Sequence, residues 1–206
     1  MKKLLALLLV LTMTMGLAAC RNKDADKNPT TEPTTQPTTE ATTDTTADPQ
    51  ANGATQVLTT IWNAVAEDKK FFAMGGDMEN MVDNAPGNYS LTDEGISTVL
   101  YVPADQLQNV DQASSLMHGM MANHFTGAVF HMANGADANA FADAMKQSID
   151  SARWICGTPE KLLIAVINGE YVLAAFGLND NINAFETALA AAYPDAQVKY
   201  SEAIIG

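Results

Sequence analysis

The period of the apolar positions changes in a regular order through the second half of this chain. Residues 162–177 hold two apolar runs of strand length on either side of Asn168-Gly169. That dipeptide supplies two positive-φ residues in succession, as a type I′ turn requires, so the runs are predicted to pair as an antiparallel hairpin. Ahead of the hairpin lie a strand pattern over 127–132 and a helix pattern over 137–152, where Phe141, Met145 and Ile149 recur every four residues. After it come a helix over 180–193, with Ile182, Phe185 and Leu189 on one stripe, and a strand over 197–204. Asn183 and Glu186 have the spacing of a capping box at the start of that helix. The order βαββαβ predicts an α+β domain with a ferredoxin-like split βαβ layout, both helices on one face of an antiparallel sheet.

The stretch before this unit reads as mostly helical. Val57, Leu58, Ile61, Trp62 and Val65 repeat at the spacing of one helix face. Residues 71–77 and 83–87 carry Gly, Asn, Asp and Pro and predict a structured loop region. Thr92 is placed to cap a short helix carrying Ile96, Val99 and Leu100, with a strand as the competing assignment because β-branched residues lie near Gly95. Asp111 is predicted to cap a second helix whose apolar face is Leu116, Met117, Met120 and Met121.

Residues 1–55 follow a different logic. Lys2 and Lys3 precede the apolar run 4–11, the basic and apolar parts of a secretory signal, too short for a membrane span. Leu17-Ala18-Ala19-Cys20 then has the form of a bacterial lipobox, in which small residues admit the signal peptidase and the Cys thiol receives a diacylglyceryl group. The expected division is a signal peptide over 1–19, a lipidated Cys20 heading a linker over 20–55, and one globular domain over 56–206. Acyl chains of the palmitate kind, at about 0.8 kcal/mol per buried methylene, would hold the protein to the outer face of the cytoplasmic membrane without spanning it. In the linker, Pro29, Pro33 and Pro37 head successive Pro-Thr-Thr tetrads with no apolar face to stack. At about 3.1 Å per residue in polyproline II, it reaches on the order of 100 Å. Its threonines are candidate O-glycosylation sites, and the Asn88-Tyr89-Ser90 sequon is a coincidence in a bacterial lipoprotein.

Charge narrows the partners. From residue 56 on, six Lys or Arg face eighteen Asp or Glu. A nucleic-acid site needs a basic patch, and docking flat on an anionic membrane needs the same, so both are disfavoured. A cell-surface protein or glycan remains as the expected partner, and oligomeric state is open. With Cys20 lipidated, Cys156 is the one remaining thiol, which leaves no internal disulfide.

Candidate chemistry is sparse. Met117, Met121 and His124 follow i, i+4, i+7, so a helix through His124 would present two thioethers and an imidazole suited to copper, Cu(I) especially. Any apolar helix stripe shares that spacing, and Met is a common core filler, so packing is the first explanation. Cys156 lies in a turn with no Cys-protease signature, and His118, His124 and His131 are far off in sequence. Asp77, Glu79 and Asp83 have the density of a calcium loop but also of an ordinary solvated one, and residues 179–190 open like an EF-hand yet lack its Gly and its closing Glu. Asp93, Glu94 and Asp105 would form a glycosidase pair only if folding happened to place them so. No phosphate loop, dinucleotide fingerprint, zincin motif or serine elbow is written, and no cofactor is expected.

The lipobox, the Thr-rich stalk, Arg153-Trp154 closing a strand-helix unit, Pro159 and the Gly169-Glu170-Tyr171-Val172 hairpin together resemble uncharacterised surface lipoproteins of Gram-positive bacteria that carry a domain of unknown function. The resemblance implies a lipid-anchored surface protein and assigns no residue a role. With no reactive constellation in the sequence, the expected function is binding, with a copper-binding lipoprotein and an enzyme using Cys156 or acidic residues as the alternatives.

Overall fold

A computed structural model describes residues 53–155 and 157–204. The signal, Cys20, most of the linker and Cys156 lie outside the described residues. The first helix, α1 (Gly53–Ala64), begins three residues ahead of the expected domain boundary, and Ala54 and Thr55 are already buried. Gln112 Oε1 accepts from Ala54 N at 3.3 Å at its start.

Among the described residues, eight strands and four α-helices make an α+β fold on one open antiparallel sheet. The strands are β1 (Ala73–Gly75), β2 (Val82–Asp83), β3 (Gly87–Tyr89), β4 (Val110–His118), β5 (Phe125–Met132), β6 (Lys161–Ile167), β7 (Tyr171–Gly177) and β8 (Gln197–Ala203). The remaining helices are α2 (Gly95–Thr98), α3 (Ala138–Asp150) and α4 (Asn179–Ala192). Along the sheet the order is β2-β1-β4-β5-β7-β6-β8, and β3 also pairs with β4. Among the described residues, no helix is long and apolar enough to cross a membrane.

The hairpin forms as expected. Asn168 (φ 54°) and Gly169 (φ 74°) make its turn, Ile167 pairs with Tyr171, and β5 lies beside β7. The ferredoxin-like order does not form. That order would bring the last strand beside the first, whereas β8 pairs with β6 and the free side of β5 is taken by β4. The helices accordingly do not share a face. The β5-to-β6 and β7-to-β8 crossovers step toward the same edge but start from antiparallel strands, so two right-handed connections must lie on opposite faces. Phe141, Met145 and Ile149 of α3 pack with Leu162, Ile164 and Val166, while Ile182, Phe185 and Leu189 of α4 join α1 over Leu163, Ala165 and Ile167. Burial on both faces explains why β6 and β7 read as continuous apolar runs without alternation.

The capping box is also corrected. Asn183 and Glu186 lie inside α4. Both side chains bind Lys161 Nζ, at 2.8 and 2.7 Å, and it is the Glu160 carboxylate that accepts from Asn179 N at the helix start, at 2.8 Å. Burial raises the Glu186 pKa, but the bonds from Lys161 and Ser201 outweigh it and hold the carboxyl below its ordinary value.

The largest departure is the stretch predicted as an Asp111-capped helix, which is β4, a nine-residue strand. On one side it pairs with β5; on the other, β3 pairs along 113–115 and β1 takes over along 116–118. The loop region thus contributes three short strands, and the mostly helical reading of this part holds for α1 alone beyond one turn. That turn is α2, whose first N–H, from Gly95, is bound at 2.6 Å by Asp93 Oδ1 and not by Thr92.

Candidate functional site

The handover from β1 to β3 creates the feature of most chemical interest. The strands meet so closely that a Cβ on Gly75 would lie 2.2 Å from Ala85 O and 2.4 Å from Gly87 N, and Gly76 (φ 81°) leaves the strand in a conformation that favours glycine. Small side chains on β4 complete the junction: Ser114 Oγ donates to Gly87 O at 2.9 Å and Ser115 Oγ to Gly76 O at 3.1 Å, both fully buried.

Beyond Gly76 the chain is pinned by Asp77, whose residue is 5 % exposed. Oδ1 accepts from Glu79 N and Asn80 N at 2.9 and 2.8 Å, Oδ2 accepts from Ser90 N at 2.7 Å, and Asn80 Nδ2 donates to both oxygens. Burial pushes its pKa up, but the bonds from Ser90, Asn80 and Glu79 outweigh that and hold the carboxyl below its ordinary value of 3.8. The carboxylate is filled by Glu79 N and Asn80 from its own loop and by Ser90 N from beyond β3, which makes it an anchor for the loop and not a calcium ligand in waiting. Glu79 is exposed, and Asp83 sits in β2 opposite Met74. Among the described residues no group of three or more His, Cys, Asp or Glu side chains is placed to hold a metal ion.

Between this loop, α2 and the end of β4 lies a half-open cavity of about 450 Å³. Five methionines line it: Met74, Met78, Met81, Met117 and Met120. Met74 and Met117 are direct cross-strand partners on β1 and β4, and such a pair brings Cβ atoms to roughly 5 Å. Met78 and Met120 stand at the mouth, 80 % and 81 % exposed, and the exposed Met81 adds to the apolar rim. Tyr89 and Asp93 form part of the wall. Tyr89 OH lies 3.4 Å from Asp93 Oδ1, and burial together with the charges of Asp93 and Asp77 pushes the phenol up to about 12, so it is a neutral donor at physiological pH. A smaller, polar pocket of about 280 Å³ adjoins, sharing Asp77 and Asp93 and lined further by Glu79, Ser90, Thr92 and Glu94.

The residues singled out from sequence are divided by this geometry. Met117 lines the cavity, while Met121 and His124 do not, because the helix expected to align them is a strand followed by a 3₁₀ turn over Ala122–His124. His124 instead faces His118, with ring centroids 5.3 Å apart. Burial and the neighbouring His124 lower the His118 pKa, which favours the neutral imidazole, and its Nδ1 accepts from Met120 N at 3.2 Å. Asp93 and Glu94 share the polar pocket, but Asp105 is not among its walls. The Met cavity itself is not legible as a site in the sequence. Its trace in the sequence is the grouping of methionines in two windows, 74–81 and 117–121, each interrupted by glycine.

Comparison of the chain with protein-family models, with curated proteins and with solved structures gives no match.

Proposed function

We propose that this chain is an exported, lipid-anchored binding protein whose binding site is the Met-lined cavity. The observation that carries the reading is the gathering of five thioether side chains around one half-open space, two of them four-fifths exposed. Of the eight methionines after Cys20, only Met132 and Met145 are buried in the core. Core filling does not require large apolar side chains at a mouth, where water contacts them. Unbranched, polarizable methionines suit a surface that adapts to an apolar ligand, and the volume falls in the range of small-molecule sites. The lipobox and the Thr-rich stalk support an anchored domain that samples the space outside the membrane.

Two experiments test the parts separately. Cys20→Ala is expected to abolish incorporation of labelled palmitate and to shift the protein out of the membrane fraction; retention of label in the variant would remove the lipidation reading. For the cavity, the unlipidated chain from residue 21 on should raise the fluorescence of N-phenylnaphthylamine. Met74→Ser with Met117→Ser should reduce that signal several-fold without lowering the response of a folded control at another surface, such as Val198→Ser.

A second reading, Cu(I) binding, is favoured by the direct opposition of Met74 and Met117. This reading uses Met74 and Met117 in place of Met121 and His124. If it holds, a hundredfold excess of Cu(I) over Kd under anaerobic reduction would stabilise the fold by about 2.7 kcal/mol, and Met117→Leu would cancel the shift while His124→Leu would not. An unchanged melt removes the copper reading and leaves apolar binding in place.

A further inference from the structure

The sign of the charge around the cavity narrows the ligand further, and the argument rests on the cavity being the binding site. No Lys or Arg occurs between Phe71 and Met145, although this stretch builds the whole cavity. Among the described residues, the ion pairs fall on Lys70, His131, Lys146, Lys161 and Lys199, and none involves a carboxylate of the two joined pockets. Glu79 and Glu94 are exposed at the rim of the polar pocket. Asp93 is held on Oδ1 by Gly95 N at 2.6 Å and by Tyr89 OH, which orients the group toward the boundary between the two spaces. Asp77 is saturated by Glu79 N, Asn80 and Ser90 N and contributes charge alone.

We propose that the site takes a small amphiphilic cation, its apolar body among Met74, Met81 and Met117 and its ammonium or guanidinium head beside Asp93, Glu79 and Glu94. The two spaces have complementary chemistries and a shared wall, so one molecule with an apolar part and a cationic part fills both, whereas a neutral apolar molecule brings no countercharge to Asp93, Glu79 and Glu94, which line the polar pocket. An anionic amphiphile would be repelled by the same groups. The combined size suits a molecule of small-ligand dimensions better than an extended chain, which would need a longer groove.

The test compares three ligands with one body: octylammonium, octan-1-ol and octanoate, titrated into the unlipidated chain from residue 21 on at low ionic strength and followed by calorimetry and amide chemical shifts. Octylammonium is expected to bind about tenfold more tightly than octanol, octanoate more weakly than either, and the advantage of the cation should fall as salt is raised. Glu79→Gln with Glu94→Gln, both exposed side chains, should bring octylammonium close to octanol and leave octanol unchanged. Met117→Ser should weaken octylammonium and octanol alike. Equal binding of octylammonium and octanol overturns the charge inference but leaves the apolar cavity standing. If neither binds and the N-phenylnaphthylamine signal is also absent, the cavity reading fails with it. Binding of an alternating Leu-Lys peptide in the absence of octylammonium binding overturns the small-molecule assignment in favour of a docked basic chain.

Discussion

Asp77→Ala is expected to destabilise the domain by about 3 kcal/mol at pH 7, because one carboxylate that accepts from Ser90 N, Glu79 N, Asn80 N and the Asn80 amide disappears and leaves donors without a partner. Bonds to a charged acceptor are worth more than neutral ones, and Asp77 is buried, so water replaces the lost acceptor only in part. In a domain of this size the change corresponds to a drop of roughly 6–12 °C in Tm. Ligand binding should weaken as well, since the loop held by Asp77 carries Met78 and Met81. The pH dependence follows from the direction of the shift. A carboxyl whose folded pKa lies below its ordinary 3.8 adds stability that is present in full above that value and is lost as pH falls through the folded pKa. The gap between wild type and Asp77→Ala should therefore be constant from pH 7 to about 5 and close below 3.8. Urea titrations across that range check it, and a gap that persists undiminished at the acid end would show that the carboxylate is not the source.

Phe125→Ala should cost about 3–5 kcal/mol, the range for removing a fully buried aromatic side chain. Phe125 opens β5 and is 0 % exposed. Its ring packs 5.1 Å from Phe71 and 4.9 Å from Phe185, so it joins the segment after α1 to α4 on one face of the sheet. Room for the ring is made by Gly127, where an added Cβ would fall 2.9 Å from Phe125 Cζ. Phe125→Leu keeps the space partly filled and should cost less, about half as much. Chemical unfolding of both variants measures the difference; equal losses would mean that the site relaxes around either side chain. A variant that fails to accumulate leaves Phe125→Leu to carry the comparison.

The two predictions fall on residues that differ in how far their role could be read without a structure. Phe125 lies two positions ahead of the strand pattern over 127–132 and only the structure shows that it opens β5, although its apolar character suits burial. Density alone groups Asp77 with Glu79 and Asp83 in the manner of a cation cluster. Its actual partners include Ser90, thirteen positions away, and that bond exists because β3 returns beside β1.

Local chemistry written in the chain determined the hairpin, its Asn168-Gly169 turn, the helices α1, α3 and α4 and the apolar stripes by which they pack. Those are interactions between residues a few positions apart, and their periods survive in any tertiary context. The same local logic misassigned residues 110–118. Ala113, Ser114 and Ser115 have no strong strand preference, and Leu116, Met117 and Met120 fit a helix face equally well. Pairing with β5 on one side and with β1 and β3 on the other decides the matter, and the partners in β1 and β3 lie well outside the window that a helix pattern spans. Strand order was likewise undetermined locally, since β8 carries the same alternation whether it lies beside β5 or β6. The cavity belongs wholly to this second category. Methionines from positions 74–81 and 117–120 become one surface only when β1 pairs with β4, and the carboxylates of 77–94 become its rim only when the intervening loop is folded back and pinned by Asp77.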